Sequence, residues 1–305
     1  MTTNSVFQKS WWLKALAPNQ WEAIELFNQN GDVIARLPFV RKSHKGLMWV
    51  TMPPLTQTLG PWLAISSTKY SGQLTQQKEL MIALIEQLPP CDCFSQNFHY
   101  SITNWLPFYW QGFTQTTRYT YVLEDLTDLE KIRSGFQSNL RGKIRKAKEQ
   151  VAVRTDLGVE KFLDIQTLTY ERQGLKLPHS RDLVRRLDQA CVAQNARRIF
   201  FAEDSQGRIH AAVYIVWDQN AAYYLMGGGD PELRSSGAHS LALWEAIQFA
   251  ATVTQRFDFE GSMQEPIERF FRGFGAKQMP YFAIRRESRR RQVVSAVRDF
   301  YQALT

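Results

Sequence analysis

Apolar and polar positions follow the same layout in two separate stretches of the chain. Residues 31–51 align without gaps on residues 207–227, so that Gly31 meets Gly207 and Phe39 meets Ile215. In each stretch a glycine precedes an apolar strand, a short polar turn follows, and a second apolar strand comes next, which is the signature of a hairpin. A further apolar segment lies upstream of each stretch. Each copy is therefore predicted to begin with a three-stranded meander.

The same order of elements continues downstream in both copies. A Gly/Pro-rich segment leads to a helix with apolar positions about 3.6 residues apart, and a short strand follows. An aromatic-Gly-Phe turn on a short helix then precedes a closing strand; the turn reads FYWQGF at residues 108–113 and FFRGFG at residues 270–275. The order β-β-β-α-β-α-β thus occurs twice, which indicates internal duplication. It predicts an α/β (α+β) fold with two similar units, each a mixed, mostly antiparallel sheet flanked by helices.

Length and composition agree with two folded units. The chain has 305 residues, of which 44% are hydrophobic and 13% aromatic, enough for two ordinary domains that each bury a core. We predict an N-terminal unit at residues 1–124 and a C-terminal unit at residues 125–288. A basic helix is predicted at residues 289–305.

The net charge of +8 indicates an anionic partner, because a positive field concentrates phosphates and carboxylates near the surface. Part of the excess lies in SNLRGKIRKAKEQ, which is predicted to form an amphipathic helix. Its apolar stripe contains Leu140, Ile144 and Ala147, and its other faces carry cations that include Lys143 and Arg145. These cations form either a solvated helix face or a phosphate-binding surface.

Several classes of protein are disfavoured by what the sequence lacks. It has no apolar run long enough to span a membrane and no signal peptide, so a soluble, cytoplasmic protein is expected. Its three cysteines are read as reduced, and no metal site is expected. The sequence contains no G-x-S-x-G, Walker, G-x-G-x-x-G or H-E-x-x-H motif, which disfavours serine hydrolases, P-loop NTPases, Rossmann enzymes and zinc proteases.

Two groups of residues in the second copy can take part in chemistry: one can supply backbone hydrogen-bond donors, and the other supplies two carboxylates. Gly227, Gly228 and Gly229 follow an apolar strand, where they can turn backbone N–H groups toward a ligand in a nest or bulge. The alternative is a flexible exit from the strand. In the predicted strand FDFEGS, side chains alternate between two faces, so Asp258 and Glu260 share one face. Either carboxylate could be a general base or could orient an amine.

The order of elements, with LRGKIRKA opening the second copy and FDFEGSMQEPIERFFRGFGA near its end, resembles the GNAT acyltransferase fold and the FemABX group with its bacterial relatives. The resemblance covers roughly residues 5–288. It implies transfer of an acyl or aminoacyl group from acyl-CoA or aminoacyl-tRNA to the primary amine of a small-molecule or peptide-like substrate. The second half would carry the chemistry, and the first would shape the substrate cleft.

The resemblance also implies roles for single residues. Arg234 and Gly237 match the loop that binds the pyrophosphate of coenzyme A at a helix N-terminus. His239 departs from that loop, since a small residue is usual there, and we expect it to be a capping or surface residue. Tyr224, with Tyr223 or Tyr281 as alternatives, would be the catalytic acid.

Cations near the second aromatic turn and on the basic helix complete the predicted site. Arg272, with Arg269 beside it, would bind a substrate carboxylate or phosphate, unless these arginines form ion pairs with Asp258 and Glu260. Lys143 and Arg145 would contact tRNA or another phosphate-rich carrier.

Two further readings stay open. The chain can be a non-catalytic GNAT-like protein that keeps the basic surface for RNA or another polyanion. Its basic C-terminal segment can also contact an anionic membrane surface.

Overall fold

The computed structural model of the protein describes residues 3–67, 69–172, 174–261 and 263–291. The chain divides into two compact units: residues 1–118 with 280–305, and residues 119–279. The predicted basic segment 289–305 lies outside the described residues from position 292 onward.

The first unit has a mainly antiparallel sheet flanked by helices. Its strands are β1 (Trp21–Phe27), β2 (Val33–His44), β3 (Leu47–Thr51), β4 (Trp62–Leu63) and β5 (Cys93–Asn97). Its helices are α1 (Ser10–Leu16), α2 (Tyr70–Glu86) and α3 (Leu106–Trp110). β1, β2 and β3 pair antiparallel in the predicted meander, and β5 pairs parallel with β3. Helix α2 covers this sheet with Leu80, Met81 and Leu84 buried in an apolar core.

The second unit repeats this order and adds helices before its meander. Its helices are α4 (Leu129–Ser134), α5 (Ser138–Lys148), α6 (Val159–Glu171), α7 (Arg181–Ala193), α8 (Ala238–Ala250) and α9 (Glu265–Arg272). Its strands are β7 (Val151–Arg154), β8 (Arg197–Asp204), β9 (Ile209–Trp217), β10 (Ala222–Gly229) and β11 (Phe257–Asp258). β7 to β10 pair antiparallel in sequence order, and β11 pairs parallel with β10. The predicted mixed, mostly antiparallel sheets flanked by helices are confirmed.

The two closing strands do not complete the sheets of their own repeats. β6 (Thr114–Leu123) pairs its residues Val122 and Leu123 with β11 of the second unit. β12 (Lys277–Glu287) pairs with β5 of the first unit, from Ala283 opposite Asn97 to Glu287 opposite Cys93. This exchange is the reason why each compact unit draws on residues from both repeats.

The glycine turns and the aromatic turns lie where the repeat predicts them. Gly31 and Gly207 have φ of 83° and 77°, in the left-handed region that glycine adopts at little cost, and each precedes its apolar strand. Phe113 and Phe274 are buried directly after short helices α3 and α9. The predicted stripe of α5 is also confirmed, because Leu140, Ile144 and Ala147 are buried against the second core.

Helices α6 and α8 cover opposite faces of β10 in the second unit. A Cβ on Gly228 would lie 2.8 Å from the backbone Cα of Gln166 in α6. A Cβ on the neighbouring Gly227 would instead meet the side chain of His239 in α8, at 2.9 Å. Successive residues of a strand point to opposite faces, so the sheet is covered on both sides at this point.

None of the helices in the described ranges is long and apolar enough to cross a membrane.

Replacing Gly228 by Ala is expected to lower the free energy of unfolding by about 1–3 kcal/mol, because the new methyl group would press on the backbone of α6. Urea unfolding followed by circular dichroism measures the change. Gly142→Ala on α5 is the matched control: its Cβ would meet no atom within 4 Å, and the helix would gain about 0.5–1 kcal/mol. Equal stability of the two variants would contradict this account of the α6 packing.

Candidate functional site

Strands β10 and β11 separate soon after they meet. Their parallel pairing comprises only Ala222 opposite Phe257 and Tyr223 opposite Asp258. β10 continues to Gly229, and its register with β9 shifts between Tyr224 and Met226, which marks a bulge. β11 ends at Asp258, so beyond Tyr223 the edge of β10 that faced β11 has no strand beside it.

A cavity of about 340 Å³ lies at this end of β10. Its walls come from the end of α6, the start of β9, the end of β10, the loop that follows, and the first turn of α8. The lining residues include Thr169, Arg172, His210, Tyr224, the three glycines from Gly227 to Gly229, Asp230, Arg234, Ser236 and His239. Cations and polar groups thus surround the predicted glycines.

The Tyr224 hydroxyl and the His239 ring form a hydrogen-bonded pair in the cavity wall. Their oxygen and Nε2 atoms lie 3.0 Å apart. A Cβ on Gly227 would overlap the hydroxyl, so only glycine leaves room for the pair. The His239 ring also packs on Phe270, and Tyr224 on Phe271, in T-shaped contacts. The expectation that His239 is a capping or surface residue is therefore wrong: the ring turns into the cavity because Tyr224 and Phe270 hold it.

Burial determines the protonation states of this pair. It lowers the pKa of His239 to about 4, and a hydrogen bond with the backbone of Gly228 opposes the fall. Burial raises the pKa of Tyr224 well above its ordinary value, and the charges of Tyr170 and Glu260 act in the same direction. At neutral pH the imidazole is therefore neutral and the phenol keeps its proton.

The predicted nest of glycine N–H groups does not form. None of Gly227, Gly228 and Gly229 has positive φ, and all three pair with β9. The bulge lies before them, between Tyr224 and Met226. The N–H of Gly229 donates to Thr169 Oγ1 at 2.8 Å. Gly228 serves close packing on α6. The three glycines thus fit a narrow strand between two helices, and the N–H of Gly229 is already engaged.

Asp258 is a buried acceptor that holds the loop after β11. It is 3% exposed. Its Oδ1 accepts a short hydrogen bond from Thr120 Oγ1 and a 2.8 Å bond from the N–H of Glu260. Burial raises its pKa to about 6, against an ordinary value of 3.8, and both hydrogen bonds oppose the rise. Asp258 does not line the cavity, since its carboxylate is turned to β6 and to the following loop.

Glu260 lies in a left-handed turn at the end of this loop. Its φ is 58°, which is uncommon for a residue with a side chain, and Gly261 follows at 48°. The strand predicted for FDFEGS thus ends two residues earlier, and Asp258 and Glu260 do not share one strand face. Burial and the charge of Asp258 raise the pKa of Glu260 well above its ordinary value. Its charge also contributes to the raised pKa of Tyr224, and Glu260 is not among the residues that line the cavity.

The loop before α8 contains a 3₁₀ turn and then a left-handed glycine at the N-terminus of the helix. Arg234 begins a 3₁₀ turn that ends at Ser236, and both residues line the cavity. Gly237 follows with φ of 76°, and α8 begins at the next residue. A Cβ on Gly237 would lie 2.9 Å from the carbonyl oxygen of Lys143, so α5 packs directly against this turn. The predicted match of Arg234 and Gly237 thus lies at a cavity and a helix N-terminus.

Arg269 and Arg272 lie on the exposed face of α9 and outside the cavity lining. Arg269 pairs with Glu265 at 2.8 Å and Arg272 with Glu268 at 3.0 Å. The alternative of ion pairs with Asp258 or Glu260 is therefore wrong, because each arginine meets a carboxylate one turn away on its own helix. Their predicted role in binding substrate stays a prediction.

Lys143 and Arg145 point to different flanks of α5. Lys143 lies beside Gly237, on the side of the cavity loop. Arg145 instead lines a small separate cavity with Arg133 and Trp244. The basic helix thus presents two cationic surfaces.

Sequence reasoning missed the polar residues that come from α6 and β9. Thr169 and Arg172 lie at the end of α6, and His210 is buried near the start of β9 with Nε2 3.1 Å from Asp204 Oδ2. The sequence carries one signal for His210: it is a polar residue inside an otherwise apolar strand. Within the described ranges, no group of three or more His, Cys, Asp or Glu side chains can hold a metal ion.

Replacing Asp258 by Asn is expected to flatten the pH dependence of stability. Because the folded-state pKa lies above the unfolded one, the folded protein holds this proton more tightly, and the free energy of unfolding falls as the pH rises from about 4 to about 6. The fall for this group is about 3 kcal/mol. Urea unfolding across this range measures it. Asn keeps an oxygen acceptor for Thr120, so parallel curves for the two proteins would contradict the assignment.

Comparisons with known proteins agree with this geometry. Residues 134–271 match the family described as Acetyltransferase (GNAT) domain. FemX has a similar structure, with a TM-score of 0.70 and 13% identity over 91% of this chain and 91% of FemX. The C-terminal domain of a putative lysylphosphatidylglycerol synthetase from Agrobacterium fabrum has a TM-score of 0.54 and 10% identity over 90% and 87% of the two chains.

A tandem GNAT protein from the clavulanic acid biosynthesis pathway has a TM-score of 0.51 and 10% identity over 89% and 85% of the two chains. No curated protein matches the sequence. The predicted resemblance is thus confirmed at the level of the fold. The chain has a GNAT fold, and its residues 134–271 match the acetyltransferase (GNAT) domain family.

Proposed function

We propose that the second unit transfers an acyl or aminoacyl group to a primary amine. The observation that carries the proposal is the position of the Tyr224 hydroxyl, which lies in the cavity wall where β10 and β11 separate. Arg172 and Arg234 line the same cavity. An anionic donor would enter on the side of the arginines, and the amine would approach on the side of Glu260.

The cavity has features that fit an anionic, phosphate-bearing donor such as acyl-CoA or aminoacyl-tRNA. Two guanidinium groups offer forked donors, which suit phosphate oxygens. The left-handed turn at Gly237 leads into the N-terminus of α8, where the helix dipole favours negative charge. The backbone of Lys143 in α5 packs against this turn. When bound, the donor supplies the activated carbonyl.

Glu260 is the proposed general base. An amine that attacks a carbonyl must lose a proton, and the best acceptor has a pKa near the working pH. Burial and the charge of Asp258 raise the pKa of Glu260 well above its ordinary value. Asp258 is proposed as a positioning residue, because it accepts the N–H of Glu260 and so holds the turn.

Tyr224 is the proposed proton donor to the leaving group. Its raised pKa keeps the hydroxyl protonated at neutral pH, and His239 and the gap at Gly227 hold it in place. The oxyanion donor is proposed to be the N–H of Gly227. The N–H of Asp230 donates to the carbonyl oxygen of His210 on β9. Successive N–H groups of a strand point to alternate edges, so those of Gly229 and Gly227 point away from β9. That of Gly229 is engaged by Thr169, which leaves Gly227.

Replacing Glu260 by Gln is expected to lower kcat/KM at least about 100-fold, the usual contribution of a general base. Release of free thiol from acyl-CoA and loss of the aminoacyl ester from aminoacyl-tRNA, each with a panel of primary amines, measure the rate. Glu265→Gln on the exposed face of α9 is the matched control and should retain full activity. Wild-type rates in both variants would remove Glu260 from the mechanism. Donor binding without turnover by the wild-type protein would favour a non-catalytic binding protein.

Replacing Arg234 by Ala is expected to raise KM for the donor about tenfold with little change in kcat, because the lost charge contacts the donor equally before and during the reaction. Steady-state kinetics at varied donor concentration measures both constants. Arg269→Ala removes the same charge from an exposed ion pair on α9 and serves as the control. If only Arg269→Ala raises KM, the donor binds at α9 rather than in the cavity.

A further inference from the structure

A second, smaller cavity in the second unit is surrounded by cations. It has a volume of about 80 Å³ and lies between α4, α5 and α8. Its cationic walls are Arg133, Arg141, Arg145 and Lys148, and its apolar floor is Phe136, Ile144 and Trp244. These seven residues define the α5 pocket.

Helix geometry separates the α5 pocket from the proposed transfer site. Arg141, Arg145 and Lys148 follow each other at i, i+4 and i+7, so they form one flank of α5. At about 100° per residue, Lys143 lies about 160° around the helix from Arg141 and so on the opposite flank. The backbone of Lys143 packs against Gly237. The buried stripe of α5 lies between the two flanks. An occupant of the α5 pocket would therefore not be the donor group in the cavity.

The cations of the α5 pocket are largely without anionic partners. Lys148 has Glu245 at 3.6 Å. In the part of the chain that the structure describes, Arg133, Arg141 and Arg145 form no ion pair within 4.0 Å. By contrast, Arg154 and Arg185, elsewhere on the surface of this unit, each contact two carboxylates. Like charges crowded around one cavity repel each other, so an anion between them would relieve an unfavourable interaction.

The α5 pocket is partly preorganised. The Arg141 guanidinium donates to the carbonyl oxygen of Ser134 at 3.0 Å and, in a shorter bond, to that of Phe136. The Phe136 and Trp244 rings pack in a T-shaped contact at 5.1 Å and are nearly buried, which makes the floor rigid. A site whose donors are already held loses less side-chain entropy on binding.

We propose that the α5 pocket binds one phosphate group. Its volume of about 80 Å³ is room for a tetrahedral oxyanion. Three arginine forks and a lysine match the charge and the several oxygens of a phosphate better than those of a single carboxylate. The ligand class is a phosphate ester or free phosphate, bound on the side of α5 away from the transfer cavity.

Titration of the full chain with inorganic phosphate, followed by calorimetry at low ionic strength, tests the site. Wild-type protein is expected to bind phosphate, and Arg145→Ala and Arg133→Ala each to weaken binding about tenfold, the effect of one lost charge-assisted contact. Binding should also weaken as sodium chloride is added, because the cations are exposed.

Lys146→Ala is the matched control, since Lys146 is an exposed cation of the same helix outside the α5 pocket. It should change the affinity less than twofold, and thermal unfolding should confirm that all three variants are folded. The proposal fails if phosphate does not bind, or if the two pocket variants bind as well as Lys146→Ala. Because phosphate binding is measured without acyl transfer, this result is independent of the proposed activity.

Two further titrations identify the source of the phosphate group. One uses a short single-stranded RNA, and the other uses vesicles of phosphatidylcholine with phosphatidylglycerol. The source whose binding falls in Arg133→Ala and Arg145→Ala but not in Lys146→Ala is the one that engages the α5 pocket. If neither falls while phosphate binding does, the ligand is a small phosphate compound.

Discussion

The candidate site depends on the loss of backbone pairing between β10 and β11 beyond Tyr223. Two residue pairs join these parallel strands, and the left-handed turn at Glu260 and Gly261 then directs the chain away from β10. Had the ladder continued, the edge of β10 would be covered and no cavity could open beside it. Asp258 stabilises the point of separation, since its buried carboxylate accepts from Thr120 on one strand and from Glu260 in the turn.

Close helix packing around β10 follows from the same constraint. The end of β10 lacks a neighbouring strand on one edge, so helix packing on its two faces stabilises it. Helices α6 and α8 pack on these two faces. Gly228 permits the approach of α6, while Gly227 makes room for the Tyr224 and His239 pair next to α8. Small residues thus allow a polar pair to lie inside a packed layer, where burial keeps the imidazole neutral and the phenol protonated.

Much of the fold could be predicted from the sequence, because each repeat encodes its own local order. The glycine turns at Gly31 and Gly207, the meanders and the stripe of α5 follow from periodicity and turn chemistry alone. The exchange of β6 and β12 could not be predicted in this way. Neither closing strand carries a local signal that identifies its partner strand, and only tertiary contacts determine the pairing.

The site was predictable only where residue type alone indicates chemistry. Tyr224, the glycines and Arg234 were found and lie around one cavity. The burial of Asp258 and the inward turn of His239 depend on Thr120 and Phe270, which are distant in sequence. Thr169 and Arg172 were missed because they lie at the end of a helix whose sequence matches no part of the repeat.

The exchange of closing strands has a consequence for synthesis on the ribosome. β5 in the first unit pairs with β12, which follows the second unit along the chain, so this edge of the sheet stays open until the second unit has been translated. The second unit, at residues 119–279, has all its strands earlier. The segment that begins first is therefore the one whose sheet is completed last, and its nascent edge needs shielding from stray pairing in the meantime.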